Sequence, residues 1–307
     1  MLKNEAKIYL TGKLPPPIGG VTKFIQYFLE ATTNSKIDNY TALLDCRTFF
    51  KFWLLRDAVL VVNASNTLKR FFFVLLGKLL FRKVFFVKHG GQLFKYDFLF
   101  LLALMLSDGV LCLNRKVFNA LGQSVNKLMI TTIFQENRSH LIRPYQEREV
   151  DLLLYANNDS EIEGKSVYGL DFIIEAIDEL NFSPELTIVD LSGKYREPFL
   201  KYENITYLSN EVDFIDLLSR TKVYLRPTIT DGMSVAILEA LSLGVTCLAS
   251  DAVDRPKGVI TYKLNDIQDF ILKLEEVLSQ KTRKRDVELT SIDSVITFVC
   301  SGVSSDK

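Results

Sequence analysis

The chain has 307 residues, 48% of them hydrophobic and eight of them proline, which is apolar material enough for two packed cores. Its four cysteines, Cys46, Cys112, Cys247 and Cys300, stand far apart without a C-x-x-C pair, which argues against a zinc site or a disulfide framework and fits a reducing compartment. The zero net charge is divided unevenly: residues 1–150 hold 21 Lys and Arg against 10 Asp and Glu, whereas residues 151–307 hold 16 against 27. A basic first half can meet nucleic acid, anionic lipid or a phosphate-bearing substrate, and charge alone does not choose among them. The opening residues Met-Leu-Lys-Asn-Glu-Ala-Lys lack the apolar core of a secretion signal, so a cytoplasmic location is expected.

In chain order, short β-branched and aromatic runs alternate with helical-period segments, the pattern of parallel α/β layers. The first half predicts strands near Lys7–Thr11, Tyr40–Leu44, Ala58–Val62, Val84–Val87, Gly109–Leu113 and Leu128–Thr131, a Rossmann-like sheet. Directly after the first strand runs Thr11-Gly-Lys-Leu-Pro-Pro-Pro-Ile-Gly-Gly-Val-Thr-Lys-Phe24, where Gly12, Gly19 and Gly20 let backbone approach a ligand closely. The segment from Leu68 to Lys83 carries Leu, Phe and Val on most helical faces with cations at both ends. Two readings stay open for it, a core helix and a face lying on an anionic membrane. Lys78, Arg82 and Lys83 interrupt the apolar stretch Phe71 to Val87, and the uncharged run Phe98 to Ser107 is about half the ~20 residues of a spanning helix, so no transmembrane helix is predicted. Next, His89 stands just past the C-terminal end of a strand, the edge at which open α/β sheets bind ligands.

The polar stretch Gln135 to Glu149 contains Pro144 and offers little to bury, which predicts a linker. Strands then resume near Val150–Tyr155, Leu186–Leu191, Ile205–Leu208, Val223–Leu225 and Thr246–Leu248, with closing helices near Asp266–Gln280 and Ile292–Cys300. Residues 1–143 and 144–285 are accordingly read as two Rossmann-like domains and 286–307 as a C-terminal helix, with its return to the N-terminal domain left open. The most informative run is Arg226-Pro-Thr-Ile-Thr-Asp-Gly-Met-Ser-Val-Ala-Ile-Leu-Glu-Ala-Leu-Ser-Leu-Gly-Val-Thr-Cys-Leu-Ala-Ser-Asp251: a strand end, a polar loop, a helix and another strand. Gly232, Met233 and Ser234 are expected to offer backbone N–H groups at a helix N-terminus, where the dipole favours a phosphate. Asp231 and Glu239, eight residues apart, are expected to present two carboxylates to one ligand at two depths, the second more than two helical turns on. An exposed helical Glu and a capping Asp would be the plain alternative.

This run resembles the signature of retaining GT-B enzymes of glycosyltransferase family 4: an acid, seven residues, then Glu, followed by a strand of small residues. The resemblance implies two Rossmann-like domains with parallel sheets facing a central cleft, an N-terminal acceptor domain and a C-terminal donor domain. It also implies that Asp231 contacts hydroxyls of the donor sugar, that Gly232 through Val235 hold the diphosphate, and that Glu239 binds the ribose. The family usually has Glu where Asp231 stands. The glycine-rich loop is similar to the family's N-terminal loop, which carries over Gly12, Gly19 and Gly20, and His89 falls where members have a His near the reacting centre. Gly193 corresponds to a glycine beside the nucleotide. The chain departs at the diphosphate clamp: Tyr168 replaces the Lys expected before Gly169, so Lys165, Arg226 or Lys194 would have to supply the cation.

The implied activity is metal-independent, retaining hexosyl transfer from a UDP- or GDP-sugar to a saccharide or lipid-linked saccharide, in bacterial polysaccharide or lipopolysaccharide assembly. No cofactor and no nucleic-acid partner are expected, and the enzyme would work in the cytoplasm or peripherally at the inner face of the membrane. The alternatives are a GT-B epimerase or phosphorylase, and a nucleotide-sugar-binding protein without activity.

Overall fold

The computed structural model describes residues 6–16, 19–55, 57–80, 82–89, 98–137, 142–156, 158–231, 234–279 and 288–301. The chain divides into two compact units, Met1–Asn137 with Leu289–Lys307, and Arg138–Glu288. Each is built on one six-stranded, all-parallel sheet.

In the first unit β1 (Ala6–Thr11), β2 (Asn39–Leu43), β3 (Val59–Asn63), β4 (Lys83–Lys88), β5 (Gly109–Cys112) and β6 (Lys127–Met129) lie in the order β2-β1-β3-β4-β5-β6. The connecting helices are α1 (Gly20–Thr33), α2 (Phe49–Leu54), α3 (Thr67–Leu79), α4 (Phe98–Leu106) and α5 (Arg115–Ala120). Strands buried on both faces read as apolar runs, and Val59, Leu60, Val61 and Val62 of β3 are all buried. One face of this sheet packs Leu60, Val62, Val84 and Phe86 against Phe52 of α2, Val74 of α3, Phe100 and Ala103 of α4, and Val117 of α5. These four helices therefore share a layer. Their starts follow from capping residues: Asn66 accepts from the Lys69 amide ahead of α3, and Asn114 accepts from Lys116 and Val117 ahead of α5.

In the second unit the order is β11-β10-β7-β12-β13-β14, from β7 (Val150–Ala156), β10 (Leu186–Asp190), β11 (Ile205–Leu208), β12 (Thr221–Arg226), β13 (Thr246–Ser250) and β14 (Ile260–Tyr262). Alternation along β7 sends Leu152, Leu154 and Ala156 to one core and Leu153 to the other. The first core is closed by α6 (Leu170–Glu179), α7 (Arg196–Phe199) and α10 (Ile267–Ser279), the second by α8 (Phe214–Ser219) and α9 (Val235–Ser242). A small antiparallel hairpin, β8 (Glu161–Ile162) and β9 (Lys165–Ser166), stands outside the sheet. Both β14 and this hairpin escape a pattern reading, because two or three residues carry no period.

The C-terminal helix α11 (Ile292–Cys300) belongs to the first unit, where Ile292, Val295, Ile296 and Val299 are buried. Asp293 accepts from the Ser35 hydroxyl and the Lys36 amide, and Glu136 accepts from the Ser291 hydroxyl and the Ile292 amide. The expectation that Gln135 to Glu149 buries little is corrected at both ends. Asn137 is buried, donating to the Tyr27 carbonyl and accepting from the Phe134 amide. Arg148 is also buried, and its guanidinium donates to the carbonyls of Arg143, Thr221 and Leu243. Polar residues can thus be core residues when backbone acceptors converge on them, which composition does not disclose.

Burial lowers the pKa of Arg148, and three carbonyls hold its charge in place. Arg148→Met keeps the stem and strands those carbonyls, so a loss of about 2–4 kcal/mol in the second unit is expected. Urea unfolding followed by hydrogen exchange at β7 and β12 measures it; a change below about 0.5 kcal/mol would contradict this role.

Candidate functional site

Each sheet reverses its winding direction once. In the second unit the chain runs from β7 out to β10 and β11, then returns to add β12 on the other side of β7. The loops that leave the C-terminal ends of β7 and β12 lead there to helices on opposite faces of the sheet, α6 and α9, and such a switch point is where open α/β sheets take ligands. The corresponding place in the first unit lies between β1 and β3.

At the switch point of the second unit, Asp231 Oδ2 accepts from two guanidinium groups, Arg226 Nε at 3.0 Å and Arg255 Nη1 at 3.2 Å. Arg226 is the last residue of β12, and its guanidinium lies 5.0 Å from the ring centroid of Tyr168, on the loop after β7. Arg255 follows β13 and also donates to the Ser250 carbonyl, the Ser250 hydroxyl and the Thr228 hydroxyl. Burial opposes the Arg226 charge, but Tyr224 and Asp231 outweigh it and its pKa stands above the ordinary value. For Arg255 burial prevails and the pKa is lowered. Tyr168 thus occupies the expected lysine position as a platform for a cation that β12 supplies. The two loops are pressed together as well: Gly169 has φ +72°, and a Cβ there would stand 2.0 Å from the Pro227 carbonyl oxygen.

Beyond Asp231, Gly232 and Met233 lie outside the described residues. Ser234 caps α9 by accepting from the Ile237 amide, so the first-turn amides that by helix geometry lack an internal partner begin at Val235. This corrects one expectation: because the helix starts only at Val235, Glu239 sits about one turn into it, not more than two. Glu239 is 3% exposed, which removes the reading of an exposed helical Glu. Its charge reaches the Tyr155 hydroxyl, whose pKa is raised first by burial and then by Glu239.

Other candidates fall elsewhere. Lys165, exposed on β9, lines a cavity of about 180 Å³ with Asp171, Glu175 and Asn265. Lys194 is engaged with Glu161 at 2.5 Å. Gly193 turns at φ +68° after β10, and the turn is fixed by Asp190, which accepts from the Ser192 amide and hydroxyl and from the Tyr207 hydroxyl. A larger cavity of about 270 Å³ lies at the opposite ends of the strands, beside Leu152, Leu186 and Ile205. No cation lines it, so it does not suit a phosphate.

In the first unit His89 follows β4, and its Nε2 is 2.6 Å from Asn63 Oδ1 at the end of β3. The Asn63 amide group donates to the Val21 carbonyl, which turns Oδ1 toward the imidazole. Nε2 must then carry the proton, leaving Nδ1 as an acceptor. Burial first, then Arg70 and Lys88, lowers the His89 pKa from 6.5 to about 4. Thr11 Oγ1 accepts from the Asn63 amide, and Gly12 at φ +133° leaves room for Asn63 and Ile25, whose nearest atoms would meet a Cβ at 3.3 and 2.3 Å. Gly20 opens α1, and Gly19 is its N-cap, with no atom near an added Cβ. Among the described residues no group of His, Cys, Asp and Glu is arranged to hold a metal ion.

Sequence reasoning missed Arg255 and Asn63 as parts of these clusters. Asn63 does carry a signal, as the polar end of an otherwise apolar strand at the ligand edge. Arg255 stands in the stretch Arg255-Pro-Lys-Gly258 that continues the Arg226–Asp251 run, but only the fold of the segment after β13 brings it to Asp231.

Residues 161–280 match the family model described as Glycosyl transferases group 1. Three solved structures share the fold over nearly the whole chain. HepE from Anabaena in complex with UDP is 10% identical with a TM-score of 0.59, covering 95% of this chain and 94% of its own. The lipopolysaccharide outer core galactosyltransferase WaaB is 12% identical with a TM-score of 0.59, covering 97% and 100%. The sucrose-phosphate synthase of Thermosynechococcus elongatus is 10% identical with a TM-score of 0.60, covering 97% and 95%. No curated protein matches the chain in sequence. The two parallel-sheet α/β units, with these neighbours, define a GT-B fold, and the matched segment supports a glycosyltransferase.

The depressed His89 pKa has a sign that can be checked. The imidazole stays neutral in the fold down to about pH 4 while an unfolded chain protonates near 6.5, so its contribution to stability is full above 6.5 and is lost as pH falls toward 4. An NMR titration is expected to find a midpoint near 4, and a midpoint above 6 would mean the ring is solvated. Separately, Gly169→Ala forces apart the loops after β7 and β12. A loss of about 2–4 kcal/mol is expected in thermal unfolding, and a variant as stable as the parent would contradict the close approach.

Proposed function

We propose that the chain transfers a hexosyl group from a nucleotide-sugar to an acceptor hydroxyl, with retention of configuration and without a metal ion. The observation that carries this reading is the pair of half-buried arginines, their side chains 11% and 3% exposed, sharing one carboxylate at the switch point. Two guanidinium charges against one carboxylate leave an excess of positive charge where little water can screen it, and a diphosphate is the ligand that answers it.

In this reading the bond from the sugar C1 to the diphosphate breaks and its electron pair goes to the leaving phosphate oxygen. Arg226 and Arg255 stabilise that oxygen, together with the amides of Ser234 and Val235 at the start of α9. The acceptor oxygen bonds to C1 from the same face, and its proton leaves with the diphosphate. Glu239 binds the ribose, Gly193 borders the nucleotide, and Asp231 contacts sugar hydroxyls while it orients both arginines. In the first unit, read as the acceptor-binding one, His89 offers an acceptor Nδ1, and Gly12, Gly19 and Gly20 keep the loop after β1 open to a ligand. Lys165 is a second source of positive charge for the departing group.

The ligands of one structural neighbour support the donor class, since HepE has been solved with UDP and with UDP-glucose. WaaB, a lipopolysaccharide galactosyltransferase, supports an acceptor in cell-surface glycan assembly, used in the cytoplasm or at the inner face of its membrane. UDP- and GDP-sugars are both admitted.

Calorimetry with UDP, GDP and their sugars, without added metal, tests the site. Saturable binding of one base is expected, weakened by about 1–3 kcal/mol in Glu239→Ala and in Arg255→Ala. Binding indifferent to both substitutions, or none to any nucleotide, would sink the reading. Acceptor-dependent release of nucleotide diphosphate then separates a transferase from a binding protein.

A further inference from the structure

The layer formed by α2, α3 and α4 has two sides, and only one of them is used by the fold. Toward the sheet these helices bury Phe52, Val74, Gly77, Phe100 and Ala103. Away from it, α2 exposes Phe50, Trp53 and Leu54, at positions i, i+3 and i+4. Leu68, Phe72 and Leu79 do the same on α3, and Phe98, Leu101 and Met105 on α4. Their exposures run from 43% at Leu101 to 81% at Met105. Single exposed apolar residues are ordinary on a protein surface, but three aligned stripes on neighbouring helices of one layer are not. The helices are neighbours by topology, since they connect to β3, β4 and β5 in spatial order on one face, and Arg82, just after α3, donates to the carbonyls of Phe52 and Trp53 in α2.

The charges choose the occupant. The sequences of the three helices, FFKFWL, TLKRFFFVLLGKL and FLFLLALML, contain no Asp or Glu. Lys51 and Lys69 stand exposed among the apolar residues, whereas Lys78, at the end of α3, is paired with Asp108. A second copy of this chain would bring like charges together on the same patch, whereas anionic headgroups pair with them while the rings and aliphatic chains enter the acyl boundary. No helix among the described residues is long and apolar enough to cross a membrane, so the contact is one of lying on it.

We infer that the outer face of α2, α3 and α4 docks on a phospholipid bilayer that carries anionic headgroups. The inference gives a surface to the membrane contact of the reading above and stands apart from the donor site.

Trp53 is the only tryptophan of the chain and belongs to this face, so the native protein reports its own insertion. The full chain, without nucleotide, is mixed with vesicles of phosphatidylcholine alone or with about one-third phosphatidylglycerol. Flotation with the anionic vesicles is expected, with a blue shift of Trp53 emission and quenching by brominated acyl chains. Release by high salt should be partial. The triple variant Phe50→Ser, Phe72→Ser, Met105→Ser should reduce the partition constant by about tenfold or more with an unchanged melting temperature. Four outcomes would overturn the inference: no flotation, flotation with Trp53 unquenched, partitioning unchanged in the triple variant, or a blue shift that depends on protein concentration without lipid, which would make this a self-association face. Nucleotide binding is measured separately, so loss of the donor site and loss of the docking face leave different records.

Discussion

One carboxylate shared by two half-buried guanidinium groups organises the second unit. Asp231 holds the end of β12 to the segment after β13, while Tyr168 covers Arg226 from the loop after β7. Such a cluster is a poor source of net stability, because removing three charges from water costs as much as their attraction returns. Its effect is positional. Each guanidinium is fixed by several partners, so two cations are held at one carboxylate in a set orientation.

The first unit solves a different problem with the same topology. There the cluster at the switch point is neutral: the Asn63 side chain donates to the Val21 carbonyl and so turns its oxygen to His89 Nε2, while its backbone N–H donates to Thr11 Oγ1. Burial and two neighbouring cations keep the imidazole uncharged, so it enters any reaction as a hydrogen-bond acceptor rather than as a cation. Opposite electrostatic characters at equivalent places of two similar sheets agree with different tasks for the two units.

Much of this was legible in the sequence, for physical reasons. A parallel sheet buried on both faces writes itself as apolar runs, and the eleven predicted strands all correspond to observed ones. The loop after β12 announced itself by an acid, a glycine and a capping serine in front of an apolar helix. What remained hidden depends on convergence. Arg255 reads as an ordinary charged residue in a turn, and becomes part of the site only because β13 carries it beside β12. Arg148 and Asn137 look like linker residues until backbone carbonyls gather around them. Tyr168 appeared as the loss of a lysine, whereas in the fold it is a surface against which an arginine from another strand is held.

The return of α11 to the first unit has a consequence for how the protein is made. The first unit is written in two pieces, with the whole second unit between them. Its core needs Ile292, Val295, Ile296 and Val299, the last part of that core to leave a ribosome. The second unit, encoded without interruption, has all its strands in hand earlier and can fold while the first is still missing a layer. Until α11 is made, the basic and strongly apolar first unit lacks part of its core, whatever the second unit has already completed.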